Sequence, residues 1–151
     1  NPSRDPLGSG YNLLQSKITI GSGGIIGKGF LKGTQTKLAF LPEYHTDFIF
    51  CLLAEEFGFI GVLVFCAIYY AFLSSILRIA TTTQDRFAEM VAVGILVMFF
   101  SQFAINVGMA VGLFPVAGIP LPFISYGGSS LVVSMTAVGM LANVRDNAAL
   151  F

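Results

Sequence analysis

The sequence predicts an all-α membrane protein with three transmembrane helices, preceded by a long extracytoplasmic loop that carries a short amphipathic helix. Of its 151 residues, 55% are hydrophobic and only 11% are charged. The mean hydropathy of +0.81 is well above that of an ordinary soluble domain. The apolar residues are gathered in long runs, and no segment is interpreted as β structure. The formal net charge of +0 provides no basic face, so we expect no nucleic-acid partner.

The first 46 residues are polar and rich in glycine, and we interpret residues 1–46 as the extracytoplasmic loop. Leu7, Tyr11, Leu14 and Ile18 follow one another at spacings of three and four residues. This spacing predicts a short amphipathic helix, which we expect to lie on the membrane surface.

The stretch "GSGGIIGKGFLKG" that follows resembles a phosphate-binding loop at first sight. The P-loop pattern fails because Ser22 stands where a glycine is required, and because Gly29 follows Lys28 where a serine or threonine is required. The composition favours a tightly turning loop, and direct contact with a substrate phosphate is the alternative.

Three apolar runs divide the remaining residues 47–151, the predicted membrane part of the chain. They cover residues 48–77, 90–114 and 126–144. Within the first run, residues 57–77 carry no charge and are long enough to cross a hydrocarbon core of about 30 Å. We therefore predict one transmembrane helix for each run.

The distribution of basic residues predicts the orientation of these helices. Three arginines lie beside helix ends on one side of the membrane: Arg78, Arg86 and Arg145. On the other side, only Lys32 and Lys37 lie near a helix end. Because positive residues favour the cytoplasmic side, we expect residues 1–46 and 115–125 to face outward.

Four ionisable side chains accompany the start of the first predicted span: His45, Asp47, Glu55 and Glu56. On position alone, Asp47 is a suitable N-cap that stabilises free backbone N–H groups. On a helix, Glu55 lies roughly 80° around from Asp47 and about 12 Å deeper, so the carboxylates form no tight dyad. Glu55 and Glu56 are interpreted either as structural ion pairs or as the lining of a polar cavity.

Two further polar groups raise the same choice between structure and function. Gln102 and Asn106 share one helix face, which is typical of hydrogen bonds between helices, and a substrate path is the alternative.

Glu43, His45 and Asp47 provide three metal ligands only if the chain is extended there. Helix formation at Asp47 works against that, so no protein metal site is predicted.

Three long motifs closely resemble the C-terminal part of the SEDS family. They are "GYNLLQSKITIGSGG", "GKGFLKGTQTKLAFLPEYHTDFIFCLLAEEFGFIG" and "INVGMAVGLFPVAGIPLPFISYGGSS". The resemblance covers nearly the whole chain. Within the family, the sequence resembles the RodA branch more than the FtsW branch, because Ala39 occupies a place where FtsW-like sequences typically carry Glu. It implies that the chain is a fragment of a bundle of about ten spanning helices.

The resemblance also implies a function: a peptidoglycan glycosyltransferase that polymerises lipid II during cell elongation and rod-shape maintenance. Its implied setting is the bacterial inner membrane, among membrane lipids, beside a class B penicillin-binding protein and other membrane proteins of the elongation complex. The rival interpretations are a lipid II flippase or transporter, and a non-catalytic scaffold. A transporter needs polar groups throughout the membrane depth, whereas here they are concentrated near one end of the helices.

In "HTDFIF", Asp47 matches the essential acidic residue of the family, which implies a catalytic role. A carboxylate at the membrane interface is suited to take the proton of an attacking sugar hydroxyl. Lys28, Lys32 and Lys37 are candidates to neutralise the leaving pyrophosphate, and a divalent cation, Mg²⁺ or Mn²⁺, is the alternative. The other candidates for substrate binding are the remaining polar residues of the spans and their entry: His45, Glu55, Glu56, Gln102 and Asn106.

Overall fold

In the computed structural model, residues 9–29, 49–115 and 118–148 are described, and they form four helices. The helices are α1 (Ser9–Ser22), α2 (Ile49–Thr82), α3 (Arg86–Val111) and α4 (Gly128–Ala148). These ranges contain no strand, which confirms the all-α class. The predicted amphipathic helix corresponds to α1, and the three predicted spans correspond to α2, α3 and α4.

Two of the helices are long and apolar enough to cross a membrane. Helix α2 has 34 residues and α3 has 26, and each contains a strongly apolar stretch. Helix α4 has 21 residues but does not meet the same test, because glycine, serine, threonine and asparagine interrupt its apolar residues. That α4 crosses the membrane therefore stays a prediction.

Helices α2 and α3 form an antiparallel pair joined by a short turn. Asp85 caps α3, and its Oδ1 accepts a hydrogen bond of 3.0 Å from the N–H of Phe87. One hydrophobic cluster packs α4 against this pair through Ile76, Ala80, Ala92, Ile95, Phe99, Ala137 and Leu141. A second cluster joins the start of α2 to the end of α3 through Phe50, Cys51, Met109 and Ala110.

Helix α2 is broken at Gly58, where the sequence predicted an uninterrupted helix. The backbone of Gly58 has φ 66° and ψ −163°, a conformation that is essentially restricted to glycine. The apolar pattern continues through this position, so the pattern alone does not reveal the break. Helix α2 consequently consists of a short segment before Gly58 and a long segment after it.

Helix α1 packs against α2 and α3 with the face opposite to the one its sequence suggests. Leu14 and Ile18 are 58% and 47% exposed, whereas Ser16 and Thr19 are buried. The Ser16 Oγ donates a hydrogen bond of 3.0 Å to the carbonyl of Ala110 in α3. Small side chains allow the helices to approach closely, so the apolar stripe points away from α2 and α3. Leu7 and the side chain of Tyr11, the other members of that stripe, lie outside the described part of the chain.

The segment after α3 runs back along that helix instead of forming a simple surface loop at residues 115–125. Gly112 ends α3 in the left-handed conformation. The carbonyl of Ile119 then accepts a hydrogen bond of 2.8 Å from Nδ2 of Asn106. Further on, the ring of Phe123 stacks on that of Phe99, with centroids 5.5 Å apart. We name residues 118–127 the re-entrant segment.

Candidate functional site

The break in α2 is bridged by residues 23–29, which we name the glycine hairpin. In an unbroken helix, the carbonyls of Glu55 and Glu56 would accept from the amides four residues later. Instead, they accept 3.0 Å hydrogen bonds from the amides of Lys28 and Gly29. The two released amides also bond the hairpin. The N–H of Phe59 donates to the carbonyl of Gly24 at 2.9 Å, and the N–H of Ile60 donates to the carbonyl of Ile25 at 3.2 Å. Both helical hydrogen bonds lost at the break are thus replaced by bonds to the hairpin.

Glycine is required on both sides of this contact. Gly27 has φ 83°, and a Cβ added to it would overlap the carbonyl group of Glu56. A Cβ added to Gly58 would overlap the backbone amide nitrogen of Gly27. The two backbones therefore touch directly, which explains the density of glycine in a segment that fails the P-loop pattern.

An ion pair fastens the hairpin to the helix at the same place. The Nζ of Lys28 lies 2.9 Å from Oε1 of Glu55 and donates a second hydrogen bond of 2.9 Å to Oγ of Ser22. The side chain of Glu55 is fully buried, whereas that of Lys28 is 29% exposed. A charge-assisted hydrogen bond of this length compensates part of the cost of burying the carboxylate.

These contacts favour the ion-pair interpretation of Glu55. The carboxylate belongs to an ion pair within the chain, and the ammonium of Lys28 is directed at it. Glu56 is also buried, at 8% exposure, and its backbone carbonyl bonds the hairpin. Two of the predicted substrate-binding residues, Lys28 and Glu55, are thus brought together, but as partners of each other.

Asn106 and Gln102 lie on α3 as predicted, and their shared face is turned toward the protein. Asn106 is fully buried and holds the re-entrant segment through its bond to Ile119. Gln102 is half-buried one turn earlier on the helix. The partner of Asn106 is a non-helical backbone carbonyl, a detail that the four-residue spacing of the two amides did not predict.

The remaining predicted site residues lie outside the described residues: Lys32, Lys37, His45 and Asp47. The catalytic assignment of Asp47 therefore stays a prediction. Helix α2 begins two residues later, at Ile49.

The described ranges contain no group of three His, Cys, Asp or Glu side chains placed to hold a metal ion. Of the Glu43, His45 and Asp47 trio, none falls within those ranges. In the described part of the site, the carboxylate of Glu55 forms an ion pair with Lys28.

Sequence reasoning missed the glycine hairpin and its attachment to the break in α2. A general signal was present, because a glutamate inside a membrane span suggests that a basic residue elsewhere in the chain compensates its charge. The sequence did not identify Lys28 as the partner of Glu55. The two residues are 27 positions apart, and helical spacing predicts contacts only within one helix.

Two apolar helices, one of them broken at Gly58, and the non-helical segments packed along them define an all-α membrane protein. The chain belongs to the FtsW, RodA and SpoVE family of cell cycle proteins, whose family model matches residues 1–149.

Named relatives and a solved structure agree with this membership. The chain is 49% identical to the peptidoglycan glycosyltransferase MrdB of Escherichia coli over 97% of its length. It is 48% identical to the stage V sporulation protein E of Bacillus subtilis over 95% of its length. It also superimposes on a chain of a peptidoglycan synthase complex, described as coordinating polymerization and crosslinking, with a TM-score of 0.80, 31% identity and 97% coverage of this chain.

The match covers only part of each relative. The chain spans 40% of the length of MrdB, 39% of that of the sporulation protein and 39% of the structurally similar chain.

Proposed function

We propose that the full-length protein carrying this chain is a peptidoglycan glycosyltransferase that polymerises lipid II. The observation that carries this proposal is the 49% identity to the E. coli peptidoglycan glycosyltransferase across nearly the whole chain. The structural similarity to a peptidoglycan synthase chain supports it from the fold.

Asp47 is the proposed general base. In this reaction, a sugar hydroxyl attacks an anomeric carbon whose leaving group is a lipid-linked pyrophosphate. A carboxylate within hydrogen-bond reach of that hydroxyl accepts its proton as the new bond forms. The start of a spanning helix suits this chemistry, because the sugars stay in water while the lipid tail stays in the bilayer. Asp47 directly precedes α2, which begins at Ile49.

Neutralising the leaving pyrophosphate is the second requirement. We assign this role to Lys32 and Lys37, or to a divalent cation, Mg²⁺ or Mn²⁺, bound with the substrate. Lys28 stays a candidate for the same role, although its ammonium also contacts Glu55 and Ser22.

The proposed partner is a class B penicillin-binding protein that cross-links the product, and the proposed setting is the elongation complex of the bacterial inner membrane. The structurally similar chain belongs to a peptidoglycan synthase complex that is described as coordinating polymerization and crosslinking, which supports such a partnership. The choice of elongation rests on the RodA-like motif with Ala39. Overall identity does not separate the branches, since it is 49% to MrdB and 48% to the sporulation protein.

The test is polymerisation of purified lipid II by the full-length protein and its penicillin-binding partner in detergent. Detergent removes the two membrane sides, so transport makes no contribution to the product. We expect glycan polymer that depends on the full-length protein. A pair that binds lipid II but produces no polymer would favour a flippase, and a pair that does neither would favour a scaffold.

A further inference from the structure

We infer that Lys28 and Glu55 are positioning residues of the glycosyltransferase, which hold the glycine hairpin on the broken start of α2. This inference rests on the proposed function, because its main measurement is the polymerisation rate. The geometry itself, a two-point attachment between the same two residues, is independent of that function.

Two contacts join Lys28 and Glu55. Lys28 donates its backbone amide to the backbone carbonyl of Glu55 at 3.0 Å, and its ammonium lies 2.9 Å from the carboxylate of the same residue. Two bonds between one pair of residues restrict rotation as well as separation. The hairpin is thus held in one register relative to α2.

The pair lies near the start of the spanning helix. Glu55 is six residues from the start of α2, or about 9 Å along the helix axis. A buried carboxylate in a spanning helix is costly unless it is paired, so a residue of this kind indicates a specific task. Here the pair stands beside Gly58, where the helix lacks its own hydrogen bonds.

The pair also bears on the proposed reaction, through the segment of α2 that follows Asp47 in the sequence. Gly29 is bonded to Glu56, so the point where the chain leaves the hairpin is fixed against the segment of α2 that begins at Ile49. Asp47 lies two residues before Ile49 in the sequence. Losing the ion pair leaves only backbone bonds and the packing of Phe50 and Cys51 to hold the first segment of α2, so that segment is positioned less closely beside the break at Gly58. A misplacement of about 1 Å at a reacting group reduces the rate by about 10²-fold.

The rival role for Lys28 is direct binding of the substrate pyrophosphate, since its ammonium is partly exposed. The two roles differ in how the substitutions combine. If Lys28 and Glu55 act as a pair, removing both charges is less harmful than leaving either one unpaired. If Lys28 binds the substrate, removing Glu55 as well brings no recovery.

The experiment compares Lys28→Met, Glu55→Gln and the double variant in the full-length protein with its penicillin-binding partner. Lys17→Met is the matched control, because Lys17 is an exposed lysine on α1. The measurements are kcat and KM for lipid II polymerisation and the melting temperature in detergent. We expect each single variant to lose about 10²-fold in kcat with little change in KM. The double variant should recover at least about tenfold over the worse single variant.

Three results would overturn the inference. One is kcat at the wild-type level in both single variants, and another is a raised KM in Lys28→Met with strictly additive losses in the double variant. The third is a double variant that melts like the wild type but shows no recovery, which keeps the test decisive even if a single variant does not fold. An inactive wild type would instead refute the proposed function, so the two failures are distinguishable.

Discussion

The ring of Phe123 stacks on that of Phe99, with their centroids 5.5 Å apart and the ring planes 26° apart. Phe99 lies twelve residues before Val111, the last residue of α3, or about 18 Å back along the helix. Non-helical backbone at this depth is tolerated only where the protein or enclosed water covers it. The re-entrant segment meets this requirement in part through Asn106, which bonds the carbonyl of Ile119.

The sequence of the re-entrant segment also lowers the number of amides that need a partner. Pro120 and Pro122 have no N–H group. Leu121 lies between them, and its amide donates a hydrogen bond of 2.8 Å to Oγ of Ser125. Phe123 itself has φ 65°, a conformation that is uncommon for a non-glycine residue. Its ring contacts Phe99 and the ring of Phe72 on α2.

The course of the re-entrant segment predicts that cysteines introduced at two leucine positions close in sequence differ in accessibility. Leu113 is 78% exposed, and Leu121 is 1% exposed. In a full-length background in which Cys51, Cys66 and any further cysteines are replaced by alanine, Leu113→Cys should react rapidly with a membrane-impermeant maleimide, and Leu121→Cys should react only after denaturation. Equal rates at the two positions in the folded protein would show that residues 118–127 form an ordinary surface loop.

Replacement of Gly58 by alanine should destabilise the protein. The backbone conformation of Gly58 is essentially closed to other residues, and an added Cβ would overlap the amide nitrogen of Gly27. We expect Gly58→Ala to lower the free energy of unfolding by about 3 kcal/mol or more. Thermal unfolding of the full-length protein in detergent measures the effect.

Gly94→Ala is the matched control for that substitution. Gly94 lies inside α3, and a Cβ added there meets no atom within 4 Å. Alanine is the better helix former, so this variant should be neutral or more stable by about 0.5–1 kcal/mol. Equal melting temperatures for the two variants would contradict the docking of the glycine hairpin on the break.

The catalytic role of Asp47 predicts a selective loss of polymerisation. Asp47→Asn retains the size of the side chain and most of its hydrogen-bonding capacity, but it removes the proton-accepting carboxylate. We expect lipid II polymerisation to fall by about 10²–10⁴-fold. Asp47→Glu should recover little of this loss, because the added methylene displaces the carboxylate from the hydroxyl.

Folding of the Asp47 variants is checked separately by melting temperature and by binding of the penicillin-binding partner. Loss of an N-cap costs about 1 kcal/mol, too little to account for such a loss of rate. Near-normal polymer from Asp47→Asn would leave helix capping as the role of Asp47. Lost polymer with retained lipid II binding would exclude a purely structural role.

The arginine distribution predicts the side on which each connection lies. In the same cysteine-free background, Gln35→Cys should be labelled by an impermeant reagent added outside intact cells. Thr83→Cys, in the turn between α2 and α3, should be labelled only after the membrane is opened. The opposite pattern would reverse the predicted orientation.

The sequence by itself determined the all-α class, the positions of the four helices and the family. Each of these depends on local information: long apolar runs, the three-and-four spacing of α1, and motifs that lie within continuous stretches. The membership is confirmed by a family match over residues 1–149. The general location of the polar groups was also predictable, since Glu55, Glu56, Gln102 and Asn106 interrupt apolar runs.

Only the tertiary structure decided what those polar groups contact and where the helices depart from regularity. The break at Gly58 costs two helical hydrogen bonds and is stable because the glycine hairpin replaces them, a compensation between segments about 30 residues apart in sequence. The same applies to Ser16 with Ala110 and to Asn106 with Ile119. Helical periodicity reports which residues share a face, but the partner of that face is chosen by packing between distant parts of the chain. That is why α1 buries its small polar residues although its apolar stripe is the stronger signal in the sequence.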